Sequence, residues 1–85
     1  MSFVKDLEQI ELFAQKFWSE NEKKYLQKCH DVKYKYEITS IKFLMCEFAY
    51  HLGMKRHFFN KGYIKDKKEI DFMKKIIEIA VNELE

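Results

Sequence analysis

Cys29, His30, Cys46, His51 and His57 are the residue types that hold metals or act as nucleophiles. Structural zinc sites draw their ligands from close pairs, C-x₂-C or H-x₃₋₅-H. Five residues separate His51 from His57, the wide end of that range, while the cysteines stand seventeen positions apart. Cys46 falls among apolar neighbours at helical spacing, which makes it a core residue. Cys29 and His30 are adjacent, and adjacent side chains on a helix point apart, so they form no thiol–imidazole pair. The chain holds no glycine-rich phosphate loop and no G-x-S-x-G. The expectation is therefore a protein that is not an enzyme, with no catalytic residue, no metal and no cofactor.

The basic residues carry a better-matched chemistry. Lys55, Arg56, Lys61, Lys65, Lys67 and Lys68 lie within fourteen positions that contain one acid, Asp66. Just before them, Ala49 and Gly53 are spaced as in a helix-turn-helix, where a small residue allows close packing and a glycine with positive φ leaves the helix. Leu52 and Met54 would plug that corner and Phe59 would anchor the next helix. In this reading Lys55, Arg56 and His57 open a recognition helix, Arg56 contacts guanine and Asn60 reaches an adenine edge. Lys61, Lys65, Lys67 and Lys68 would hold the phosphates. Duplex DNA is the expected partner. Phe58 stands where a recognition helix is normally polar, and with Tyr63 it supports a rival reading, a helical protein-interaction module acting as inhibitor or adaptor.

These residues need helices to position them, and the composition supplies helices. Among 85 residues there are eight Phe, five Tyr and one Trp, but two Gly and no Pro, which suits one small all-α domain over 1–85. Phe3, Leu7, Ile10, Ala14, Phe17 and Trp18 recur at helical spacing and predict a helix over 3–28, with a bend or break near Ser19–Asn21. Val32, Tyr34, Tyr36 and Ile38 alternate with charged residues, so 29–38 reads as an extended connection pressed on the core, a helix being the lesser option. Thr39 or Ser40 caps a second helix, along which Ile41, Leu44, Met45, Phe48, Ala49 and Leu52 form the cleanest amphipathic pattern. Gly53 ends it. A short third helix spans 55–61 and Gly62 closes it. Asp66 and Glu69 form a capping box for a fourth helix that runs to the end of the chain. Its apolar residues, from Ile70 to Leu84, occupy more than half its circumference, which calls for cover by the first helix or by a second copy. The expected fold is a four-helix domain containing a helix-turn-helix, oligomeric through the fourth helix.

The net charge of +2 conceals the basic 55–68 segment between a balanced first third and an acidic tail. Two cysteines make no disulfide framework, Lys5 and Asp6 interrupt any secretory leader, and no apolar run is long enough to span a bilayer. A cytoplasmic protein with reduced thiols is expected.

The segments Ile38-Thr39, Ala49-Tyr50-His51-Leu52-Gly53-Met54-Lys55-Arg56-His57-Phe58-Phe59, Glu69-Ile70-Asp71-Phe72 and Lys74-Lys75-Ile76-Ile77-Glu78 together resemble the DNA-binding part of phage small terminase (DNA-packaging) proteins. The resemblance covers the C-terminal half. It implies a helix-turn-helix that recognises phage DNA, often within an oligomer. The chain departs from the pattern in having Lys55 where a serine is usual after the turn, and in lacking a separate oligomerisation segment. A small phage or mobile-element regulator is implied almost equally.

Overall fold

Ser2 and Ser40 open two of the four helices by the same device. Each side-chain oxygen accepts a backbone N–H three residues on, from Lys5 at 3.2 Å and from Phe43 at 3.1 Å, so each satisfies a donor that the first turn leaves orphaned. The computed structural model describes residues 2–84, in which the helices are α1 (Phe3–Glu20), α2 (Lys23–Lys33), α3 (Ile41–Asn60) and α4 (Lys68–Leu84). No strand occurs among the described residues.

The helix expected over 3–28 is not continuous: it breaks at Asn21, within the expected Ser19–Asn21 bend or break, into two helices. Asn21 adopts φ 56°, ψ 36°, and its N–H closes on Phe17 O at 2.7 Å. Asparagine tolerates the left-handed region better than most residues, so the chain breaks there and restarts as α2. The extended connection expected over 29–38 is not extended either. Residues 29–33 complete α2, and successive turns then carry the chain to Ser40. The alternating pattern misled because only every fourth residue turns inward. Val32 and Tyr36 pack on the core, whereas Tyr34 and Ile38 are exposed.

The turn expected at Gly53 is absent, and with it the separate helix over 55–61. α3 runs unbroken through Gly53 for 20 residues. Gly53 serves close approach rather than a change of direction. A Cβ added to it would lie 2.4 Å from the Glu11 carbonyl oxygen and 2.7 Å from Ala14 Cβ. Cys46, Ala49 and Gly53 form a buried strip of small residues along α3, and α1 lies against it through Ile10 and Ala14. Bringing two helices this close offsets the roughly 1 kcal/mol that glycine costs inside a helix.

Gly62 does have the expected role. With φ 84° it sits one residue past the C-cap; its N–H donates to Phe59 O at 3.0 Å, and Tyr63 N–H donates to Phe58 O at 2.9 Å. This is a Schellman closure. The expected capping box does not form: Asp66 Oδ1 accepts from Lys68 N–H, two residues on, at 2.9 Å rather than from Glu69 N–H. The Glu69 carboxylate pairs instead with Lys55 on α3 at 2.8 Å.

Two buried clusters hold the helices together. Phe3, Leu7, Ile10, Ala14, Cys29, Met45, Cys46 and Ala49 join α1, α2 and α3. Leu52, Ile70 and Met73 join α3 to α4. The end of α4, through Ile77, Ala80, Val81 and Leu84, covers the first cluster, so α4 runs antiparallel to α3.

One charge is buried with them. Asp6 accepts from the Tyr36 hydroxyl and from Lys35 Nζ, the latter at 3.0 Å, and so ties the α2–α3 connection to the start of α1. Burial opposes its ionisation. The two hydrogen bonds and the Lys35 charge outweigh burial and hold the carboxyl below its ordinary range. A depressed carboxyl stabilises the fold above its unfolded pKa and loses that contribution as pH falls through the folded value. Asp6→Asn is expected to cost about 1–2 kcal/mol at pH 7, mostly through Tyr36, because the Lys35 side chain is more than a third exposed. Urea unfolding of both proteins at pH 7 and pH 3 checks this. The gap between them should narrow at pH 3, and a gap that is equal at both pH values rules out an ionised Asp6 as its source.

Candidate interaction surface

α4 carries a second apolar row that the core does not use, and α3 adds Leu44 and the half-buried Phe48, which packs on the Leu52 cluster. On α4, Glu69, Phe72, Ile76, Ile79 and Glu83 alternate at spacings of three and four, so they share one face. On α3, Leu44, Phe48, His51 and Lys55 do the same. The Lys55–Glu69 ion pair joins the two rows at one end. Phe48 lies next to α4 as well, packed on the cluster that holds Ile70 and Met73. α1 faces the opposite margin of α4 across a groove, lined by Val4, Leu7 and Glu8 with Lys74, Ile77, Glu78 and Val81. The α4 row is left open to solvent. Phe72 is 63 % exposed, Ile79 54 %, Ile76 37 % and Leu44 67 %. Ile41, one turn before Leu44, extends the patch. Scattered apolar side chains are normal on any surface, but Phe72, Ile76 and Ile79 are consecutive members of one helix row.

The residues proposed for DNA contact fall around the other end of α3 and in the α3–α4 connection. Lys55 is engaged with Glu69. Arg56 is half-buried, with Nε 3.2 Å from Glu11 Oε1 but not aligned for a hydrogen bond. Arg56, Asn60 and Lys67 do come together, lining one hollow with Gln15 and Glu11. Glu11 puts a carboxylate in the place a phosphate would occupy. His57 is half-buried beside the Phe58 ring, 5.6 Å between centroids. Lys61, Lys65, Lys67 and Lys68 are exposed.

Phe58, the proposed protein anchor, is not a free side chain. Its ring packs edge-on against Trp18 at 5.3 Å, and Trp18 Nε1 in turn donates to the Tyr50 hydroxyl at 3.1 Å. Tyr63 beyond it is 77 % exposed. The apolar breadth of α4 from Ile70 to Leu84 includes Phe72, Ile76 and Ile79, but breadth alone does not separate the covered face from the open one. The three-four alternation that begins and ends on Glu69 and Glu83 was the available signal.

The thiols sit elsewhere. Cys29, His30, Cys46, Glu47 and Tyr50 line a cavity of about 180 Å³ with Ile10, Leu26 and Lys33. Burial pushes both thiols up to about 11, and Cys29 Sγ–H donates to Ile10 O at 3.6 Å. At neutral pH they are protonated and poor nucleophiles. No three His, Cys, Asp or Glu side chains among the described residues are grouped to hold a metal ion. No helix among them is long and apolar enough to cross a membrane. No family model, curated protein or solved structure matches the chain, so the likeness to small terminases rests on its residue pattern alone.

Proposed function

We propose that this protein is a non-catalytic helical interaction module whose docking surface is the open α3–α4 face. The observation that carries this reading is the exposed row of Phe72, Ile76 and Ile79 beside Leu44 and Phe48. An exposed apolar row of this kind fits an amphipathic helix, which would present its own anchors at three- and four-residue spacing. The flanking charges, Lys55 with Glu69 at one end and Glu83 at the other, give the rim polarity typical of protein interfaces.

A second reading keeps duplex DNA as the partner. Lys61, Lys65, Lys67 and Lys68 are exposed in and just after one connection and could track a phosphate backbone. It has to do without a recognition helix that begins after Gly53, and with Arg56 held by Glu11.

One experiment separates the two. With the photoreactive analogue benzoylphenylalanine in place of Phe72, illumination of the cells that make the protein should yield protein adducts. The same analogue at Gln9, an exposed α1 position, should yield none. Adducts from both positions alike, or from neither, reject the α3–α4 face. Duplex DNA titrated at two salt concentrations tests the rival, which requires affinity that falls steeply with salt, by about 0.9 log unit per log unit of salt for each phosphate contacted.

A further inference from the structure

The open row on α4 is self-complementary in both shape and charge. It starts on Glu69, whose charge is met by Lys55, runs through Phe72, Ile76 and Ile79, and ends at Glu83, while Lys68 stands beside its first residue. Consider two copies related by a two-fold axis crossing α4 between Lys75 and Ile76. The helices are then antiparallel, Phe72 of each faces Ile79 of the other, and the two Ile76 side chains meet beside the axis. The same register sets Lys68 of each copy opposite Glu83 of the other. A parallel pairing would instead stack lysine on lysine and glutamate on glutamate. Lys75 lies next to the axis but on the margin of the row, where its stem adds apolar cover and its ammonium reaches water. We infer that the partner of the α3–α4 face is a second copy of this chain, docked as an antiparallel α4–α4 pair closed by two Lys68–Glu83 contacts.

The inference rests on the reading of that face as a docking surface, and adds the occupant. Such an interface is isologous, so the helix it accepts is the helix it presents. Leu44 and Phe48, alongside the row, would widen the contact beyond the two helices. A pair of helices alone would be small for a stable dimer.

Sedimentation equilibrium on the full chain tests this. The wild type should be a dimer at micromolar concentration. Ile76→Lys, which brings two added charges together at the axis, should be monomeric while keeping a helical spectrum and a cooperative melt. Lys68→Glu alone, and Glu83→Lys alone, should each raise the dimer dissociation constant by about tenfold, and the two together in one chain should restore it. A wild type that stays monomeric at several hundred micromolar overturns the inference, as does a dimer indifferent to Ile76→Lys. The crosslink at position 72 tells the two levels apart. A monomer that crosslinks a different protein there sinks the self-pairing and leaves the docking face standing, whereas a monomer that crosslinks nothing sinks both.

Discussion

Gly53→Val is expected to lower the unfolding free energy by about 3 kcal/mol or more, above the usual overpacking range, because it meets backbone rather than a movable side chain. The first carbon added at this position would stand 2.4 Å from the Glu11 carbonyl oxygen. α1 must then back away from α3 along the strip where Ile10, Ala14, Cys46 and Ala49 are least exposed. Gly53→Ala separates the competing effects. In an open helix position alanine would gain about 1 kcal/mol over glycine. Here the steric cost should exceed that gain and leave a net loss of about 1–2 kcal/mol. Thermal and urea denaturation of both variants measure it. A stabilised Gly53→Ala protein would mean that the two helices are not this close.

Leu52→Ala is expected to cost about 3 kcal/mol, from lost transfer energy and the cavity left behind. Leu52 is fully buried and is the α3 member of the cluster that receives Ile70 and Met73. For a domain of this length that loss is a large share of total stability. The damage should also be uneven. α4 is held chiefly by α3, so its amides should exchange early while those of α1 keep more of their protection. Hydrogen exchange read helix by helix checks this, and uniform loss of protection would show that α4 is not a separable unit.

What the sequence made legible follows from how local the determining physics is. The Ser40 cap, the stop at Gly62 and the 3.6-residue rows of α1 and α4 depend on neighbours within a turn, and all were readable. Gly53 was misread because a glycine in a helix has two uses, leaving the helix or letting another helix in, and only the position of α1 distinguishes them. Arg56 and Lys55 were read as free cations for the same reason, since Glu11 and Glu69 are distant in sequence. The apolar breadth of α4 was visible, but which half α1 would cover was not. That depends on where α1 sits, with Val4 and Leu7 lining one groove with Ile77 and Val81, a tertiary arrangement with no local signature.

Cys29 and Cys46 make the core a clock. Each is buried, and each thiol is held in its protonated form well above neutral pH. A thiol reagent can reach them only while the surrounding helices are apart, so the rate of modification counts openings rather than collisions. Cys29 belongs to α2 and Cys46 to the α1–α3 strip, so comparing the two rates compares the helices that bury them. If α2 lifts away independently, Cys29 reacts first and Cys46 waits for the whole fold to open. If both react at one rate, the three helices open together. The two thiols thus record the order in which the fold comes apart.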